Sequence, residues 1–119
     1  MSIKLFDSEL KIMEVLWLKG ETTAKEIAEA LSTSIGWNKN TTYTVIKKCV
    51  EKGAVERREP NFTCRALVSK EDVRGTEIDE LVDKLFDGSA ELLFASLVGQ
   101  RKISGDVIDR LKGIVGDLE

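Results

Sequence analysis

The side chains best suited to chemistry lie together in one short stretch, GWNKNTTYTVIKKCVEKG, residues 36–53. This stretch holds four lysines, three threonines, two asparagines and a tyrosine, but a single carboxylate. Hydroxyl and amide groups exchange hydrogen bonds with polar ligands, and lysines attract anions. The chain as a whole is acidic, with a formal net charge of -3, so the local excess of cations is a specific feature. The pattern indicates a surface that binds a polyanion.

Other kinds of chemistry find little support in the residue types. The chain has no histidine, which excludes nucleophilic catalysis by Ser–His and Cys–His pairs. It also has no glycine-rich phosphate loop. Cys49 and Cys64 do not suffice for a four-ligand zinc site, so we expect free thiols; a cysteine-only metal site shared by two subunits is the alternative. We therefore predict neither an enzyme nor a resident cofactor.

Charge divides the chain into two regions. Residues 1–70 carry 12 Lys+Arg and 9 Asp+Glu, whereas residues 71–119 carry 6 and 12. Such asymmetry indicates that one region meets a polyanion and the other does not. We predict a binding domain over residues 1–70 and a second region over residues 71–119.

The elements that must position the polar stretch are three helices and a hairpin. Apolar spacing predicts helices over about residues 8–19, 22–32 and 40–52. The residues at their starts indicate caps: Asp7 or Ser8 for the first helix, the capping-box pair Thr23 and Glu26 for the second, and Asn38 or Asn40 for the third. The apolar face of the third helix is Val45, Ile46, Cys49 and Val50. Two short strands, about 54–58 and 62–68, flank a Pro60-Asn61 turn. This order predicts a mainly α fold with a small β-hairpin, the winged helix-turn-helix.

The second region reads as helices with broad apolar faces. Ser69, Ser89 and Ser104 have the positions of helix caps. Val107, Leu111, Ile114 and Leu118 are spaced 4, 3 and 4, the rhythm of a helix–helix seam. About fifty residues in such helices have little room to bury these faces internally. We therefore predict a helical dimerisation arm that pairs with a second copy through Leu81, Leu85, Leu93, Leu111, Ile114 and Leu118.

In a winged helix, the third helix enters the major groove, where short polar side chains read base edges and cations bind phosphates. Thr41 and Thr44 share one helical face, and Lys52 near the end of the helix is a further cation within reach of phosphates. From residue 37 to residue 65 there are seven basic and three acidic residues. The predicted DNA-binding residues are Trp37, Lys39, Asn40, Thr41, Tyr43, Thr44, Lys47 and Lys48, with Arg57, Arg58 and Arg65 in the wing.

Residues 8–68 resemble the DNA-binding domain of the penicillinase-repressor family of winged-helix regulators, which includes BlaI, MecI and CopY. SELKIMEVLW is similar to the family's first helix, and Trp37-x-x-x-Thr41-x-x-Thr44 matches its recognition segment. The stretch DGSAELLFASLVGQRKISGDVIDRLKGIV resembles the family's dimerisation arm. The resemblance implies a homodimeric repressor on a two-fold DNA operator, with a sensor protease or another inducer as a further partner.

The chain departs from the family pattern at several points. Asn40 stands where the family often has lysine, and Tyr43 stands where a basic residue is frequent. Ser96-Leu97 replaces the Asn-Phe pair that is cleaved in the β-lactam-responsive branch, and the C-terminal sequence IVGDLE lacks the Cys-x-Cys pairs of the copper-responsive branch. The operator sequence and the inducing signal therefore do not transfer to this chain.

The basic hairpin is also compatible with a second function. The basic hairpin would also suit a winged-helix module that docks an acidic protein surface. The threonine face favours DNA, because a protein-docking helix more often carries large apolar anchors. No run of about 20 apolar residues is present and the N-terminus lacks the apolar core of a signal peptide, so we expect a cytoplasmic protein without a membrane partner.

Overall fold

The computed structural model describes residues 3–118, so Met1, Ser2 and Glu119 at the ends of the two expected regions lie outside it. The described residues form six helices and three strands, which confirms the predicted mainly helical class with a small sheet. In chain order the elements are α1 (Asp7–Lys19), β1 (Thr22–Thr23), α2 (Ala24–Ile35), α3 (Lys39–Glu51), β2 (Val55–Arg58), β3 (Thr63–Ala66), α4 (Lys70–Leu85), α5 (Ala90–Gly99) and α6 (Gly105–Leu118).

Serine caps start the helices of the second region as predicted. The hydroxyls of Ser69, Ser89 and Ser104 each accept a hydrogen bond from the backbone N–H three residues later, at 3.0, 3.2 and 3.3 Å. Each hydroxyl satisfies one of the N–H groups that a helix leaves without an internal partner.

The start of α1 differs from the prediction. Neither Asp7 nor Ser8 is its cap; instead, the backbone N–H of Phe6 donates to the Glu9 carboxylate at 2.7 Å. The Thr23 cap of α2 also departs from the capping box. Its hydroxyl accepts from the Glu26 N–H, but the Glu26 carboxylate bonds that same hydroxyl at 3.0 Å rather than the Thr23 backbone.

The sheet has one strand more than the sequence predicted. β3 pairs antiparallel with β2 on one side and with the two-residue β1 on the other, so Thr22 lies opposite Cys64. A two-residue strand leaves no alternating pattern for sequence reasoning to detect. Its effect is to join the start of α2 to the hairpin, and the Ala24 N–H donates to the Phe62 carbonyl at 2.9 Å.

The core of the first region lies between α1, α2, α3 and the sheet. α1 and α2 both pack against α3. The residues without exposed surface include Ile12, Met13, Ile27, Ile46, Cys49 and Cys64. The predicted apolar face of α3 is therefore buried, although Val50 is only half-buried and Thr42 takes a fully buried position. This packing fixes which side of α3 faces outward.

The chain divides into two compact units, Met1–Glu77 and Ile78–Glu119. The division falls inside α4 rather than at residue 70. Residues 71–77 therefore belong to the first unit, and Val73 is part of its buried core. Among residues 3–118, no helix has the length and apolar character needed to cross a membrane.

Candidate nucleic-acid interface

The loop that leads into α3 is rigidly specified by local interactions. Gly36 ends α2 in the left-handed conformation at φ 73°, which glycine adopts without a steric cost. The Asn38 side chain then caps α3, its Oδ1 accepting from the Thr41 N–H at 2.8 Å. Trp37, between them, is half-buried and packs against the core. The structure thus places Trp37 where it anchors the loop, with only part of its ring at the surface.

The outward side of α3 carries a continuous set of polar and cationic side chains. Successive residues turn by about 100°, which places these positions within about 60° of Thr44 on the side opposite the buried residues. All are exposed, and we call them the recognition face: Asn40, Thr41, Thr44, Lys47 and Lys48. Glu51 lies on the same side at the last residue of the helix.

The three threonines of α3 have different environments. Thr41 and Thr44 are exposed, as expected for groups that meet a ligand. Thr42 has no exposed surface, and its hydroxyl donates back to the Asn38 carbonyl at 3.4 Å. Thr42 is therefore a packing residue.

Tyr43 connects α3 to the hairpin instead of pointing outward with Thr41 and Thr44. Its half-buried ring meets the Phe62 ring edge-on, with centroids 5.9 Å apart and planes at 72°. The Lys39 ammonium lies 5.5 Å from the centre of the Tyr43 ring, and the Arg57 guanidinium lies 3.7 Å from that of Phe62. We call this row of four residues the aromatic bridge. Edge-to-face and cation–π contacts of this kind hold side chains in defined orientations.

Phe62, which the sequence analysis did not single out, occupies a strained position in the hairpin loop. Its φ is 47°, in the left-handed region that bulky residues rarely adopt. In this conformation its ring contacts Tyr43 and Arg57. The sequence signal that could have identified Phe62 is an aromatic residue directly after the Pro60-Asn61 turn.

The hairpin β2–β3 with its loop, residues 55–66, is the wing. Along β2, side chains alternate between its two faces. Val55 is buried on the core face, and Arg57 on the same face lines a cleft with Lys47 and Phe62. Its Nε also donates to Glu59 at 2.6 Å.

The opposite face of the wing carries charges that neutralise one another. Arg58 donates to Glu56 at 2.7 Å and to Glu21 at 3.1 Å. Arg65, directly across the strands from Glu56, donates to the same carboxylate at 3.3 Å. We call these four residues the outer charge cluster. The hydrogen bond from Arg58 holds the pKa of Glu56 below its ordinary value, and the charge of Arg65 contributes to this.

Lys52 is not available to phosphates, which corrects the expectation from sequence. Its ammonium donates to Glu9 at 2.6 Å and to the Lys4 carbonyl at 2.8 Å, and it lies over the Phe6 ring. The Glu9 side chain is only 1% exposed. Burial raises the pKa of Glu9, but the hydrogen bonds from Lys52 and from the Phe6 N–H outweigh it, so the pKa lies below its ordinary value.

The two cysteines are free and buried. Burial, together with the nearby Glu9 carboxylate, raises the pKa of Cys49 to about 12, and burial raises that of Cys64 to about 11. Both thiols are therefore protonated at neutral pH. Residues 3–118 contain no cluster of histidine, cysteine and carboxylate side chains arranged to hold a metal.

The second unit leaves most of its apolar side chains uncovered. Among the described residues of α5 and α6, none is buried. Of the predicted interface residues, Leu85 is 67% exposed and Leu118 is 81% exposed. Leu81 and Ile114 are also exposed, whereas Leu93 and Leu111 are half-buried. An apolar groove on this unit is lined by Phe94, Ile108, Leu111 and Val115.

Comparison with known protein families gives an extensive match. The sequence profile described as "Penicillinase repressor" matches residues 5–117. The methicillin resistance regulatory proteins MecI of Mammaliicoccus sciuri and of Staphylococcus aureus (strain N315) are each 25% identical to the chain over 114 residues, covering 94% of this chain and 93% of the relative.

Solved structures share the fold of part of this chain. The solution structure of the DNA binding domain of the repressor BlaI superposes with a TM-score of 0.54 at 24% identity, covering 60% of this chain and 93% of that one. The monomeric form of Bacillus licheniformis BlaI, in complex with the blaP half-operator, superposes with a TM-score of 0.52 at 24% identity, covering 58% and 87%.

Proposed function

The chain belongs to the penicillinase repressor family and is a DNA-binding transcriptional repressor; we propose that it acts as a homodimer on a two-fold operator, which it reads with the recognition face of α3. The observation that carries this proposal is the composition of that face. Its five side chains are short polar groups or lysines, and all are exposed on the side of α3 away from the core.

The recognition face has the chemistry for both parts of DNA recognition. Near the start of α3, Thr41 and Thr44 present hydroxyl and methyl groups that suit base edges, including the thymine methyl, and Asn40 suits adenine. Further along the helix, Lys47 and Lys48 are placed to bind phosphates. Neither ammonium group lies within ion-pair distance of a carboxylate among residues 3–118, so both are available.

The aromatic bridge supports a fixed relation between α3 and the wing. Tyr43 and Phe62 connect Lys39 at the start of α3 to Arg57 in the wing. Because contacts with the two rings already order both cations, these side chains lose little further conformational freedom on binding. We therefore propose that Lys39 and Arg57 bind backbone phosphates, whereas Tyr43 and Phe62 position them.

The proposed dimer rests on the uncovered apolar side chains of the second unit. Exposed apolar surface of this kind marks an interaction site on a soluble protein. The a/d spacing of Leu111, Ile114 and Leu118 is the pattern that pairs two helices. A two-fold dimer would place two α3 helices on half-sites separated by about one DNA turn or a multiple of it.

The test is a selection of bound duplexes from a random oligonucleotide pool, with the wild type and with Thr44→Ala. The wild type is expected to enrich a two-fold motif. Loss of one base contact costs about 1–3 kcal/mol of discrimination, so Thr44→Ala should flatten the preference at one or two positions in each half-site.

Two outcomes would contradict parts of this proposal. Identical motifs from both proteins would remove Thr44 from base reading. If the wild type enriched no motif, a protein-docking function for the basic hairpin would become the better explanation. Circular dichroism of Thr44→Ala provides the folding control.

A further inference from the structure

The charges of α3 and the wing are distributed unequally between free and paired groups. Each wing arginine donates to at least one carboxylate: Arg57 to Glu59, Arg58 to Glu56 and Glu21, and Arg65 to Glu56. Together these three arginines and three carboxylates carry no net charge. The lysines of the recognition face have no such partner among residues 3–118.

We propose that Glu56, supported by Glu21, acts as an electrostatic brake that keeps the wing from binding DNA without regard to sequence. This inference rests on the proposed function, because it concerns how a DNA-binding face discriminates among sequences. Glu56 is the central residue because its two carboxylate oxygens engage both Arg58 and Arg65.

The geometry explains why these arginines need restraint. Arg58 and Arg65 lie on the face of the wing opposite to Arg57, which lines a cleft with Lys47 of α3. When α3 docks in the major groove, its orientation fixes which side of the wing approaches the backbone. Nonspecific binding has no such constraint, because it depends on phosphate charge alone. Free arginines on the outer face would therefore favour orientations in which the recognition face reads no bases.

The pairs are suited to a brake because they lie at the surface. The side chains of Arg58, Arg65 and Glu56 are 52%, 46% and 36% exposed. Exposed ion pairs contribute little to stability, so removing one partner should leave the fold intact. The chief consequence of removing the Glu56 charge is that Arg65 loses its carboxylate partner and Arg58 keeps only Glu21, so both guanidinium groups become more available to phosphates.

The experiment measures binding to a 30-bp duplex of random sequence at several salt concentrations, which requires no knowledge of the operator. Glu56→Gln should bind this duplex more tightly than the wild type. Each freed arginine should steepen the plot of log affinity against log salt concentration by about 0.9 for each subunit that contacts DNA. If the proteins bind equally at 1 M salt, this change makes the affinity of the variant about fivefold higher at 0.15 M salt. Affinity for a selected motif should rise less, so the ratio of specific to nonspecific affinity should fall.

Two matched variants separate the local effect from the change in net charge. Glu14→Gln makes the same charge change on the exposed surface of α1 and should leave the slope unchanged. The triple variant Glu56→Gln/Arg58→Gln/Arg65→Gln should lose the gain that Glu56→Gln alone produces. Equal slopes for Glu56→Gln and Glu14→Gln would overturn the brake. A wild type that enriches no motif would overturn the proposed function instead, while the random-duplex comparison would still decide the role of Glu56.

Discussion

Replacing Lys52 by methionine should destabilise the first unit severely, although Lys52 lies at a helix end and is partly exposed. Its ammonium donates to the Glu9 carboxylate at 2.6 Å, between residues 43 positions apart in the chain. Methionine is one atom shorter than lysine, and it keeps the apolar body of the side chain but removes the charge. Among residues 3–118, Glu9, 1% exposed, would then keep only the Phe6 N–H as a hydrogen-bond donor.

The size of the effect follows from two considerations. Removing one partner of a buried ion pair typically costs about 3–5 kcal/mol. Protonation of Glu9 limits this cost, because a neutral carboxyl group is less costly to bury than a carboxylate. For a carboxyl group of ordinary pKa, about 4.3, protonation itself costs about 3.7 kcal/mol at pH 7 and about 1 kcal/mol at pH 5. We therefore expect Lys52→Met to lower the free energy of unfolding by about 3–4 kcal/mol at pH 7, a large fraction of the total for a small domain.

The pH dependence has a definite sign. In the wild type the pKa of Glu9 is lowered, so its stabilising contribution is present above the ordinary pKa and is lost as the pH falls through the folded value. In Lys52→Met, burial without the lysine raises this pKa, so the folded state loses stability as the pH rises from about 4.3. The difference in the free energy of unfolding between the wild type and Lys52→Met should therefore be smaller at pH 5 than at pH 7.

Urea unfolding followed by circular dichroism at pH 7 and pH 5 measures both quantities. Lys47→Met is the matched control, because it makes the same substitution in α3 at an exposed lysine outside the ion pair. A loss below about 1 kcal/mol at pH 7 would refute the claim that the pair is effectively buried. An equal loss at both pH values would show that the destabilisation does not arise from an unpaired carboxylate.

Two further predictions concern the second unit and the thiols. Leu111→Asp should convert the protein to monomers at micromolar concentration and sharply weaken operator binding, since a charge would enter the proposed apolar seam; sedimentation that finds the wild type monomeric at that concentration would contradict the dimer. Because burial raises the pKa of Cys49 to about 12 and that of Cys64 to about 11, neither should react with a thiol reagent at pH 8 until the protein is unfolded, and rapid labelling of the native protein would contradict their burial.

Some features of the fold could be predicted from sequence because their causes are local. The caps at Ser69, Ser89 and Ser104 act on backbone groups within three residues, so the sequence is sufficient to place them. The apolar spacing of α3 likewise fixes a buried side and hence an outward side for Thr41 and Thr44. The winged helix followed from these signals and the hairpin pattern. The roles of individual recognition residues stay predictions.

Only the tertiary structure shows that side chains of the same type have different partners. Lys47, Lys48 and Lys52 lie close together in the sequence, yet among residues 3–118 only Lys52 of the three pairs with a buried carboxylate, that of Glu9 on α1. Three arginines give the wing a positive sequence, but Glu21 and Glu56 neutralise part of that charge across the sheet. The sequence determined the local geometry of each helix and turn, because hydrogen bonding and steric preference act over about four residues. Which charges remain free depends on partners up to 43 residues away, and only the folded chain brings them within hydrogen-bond distance.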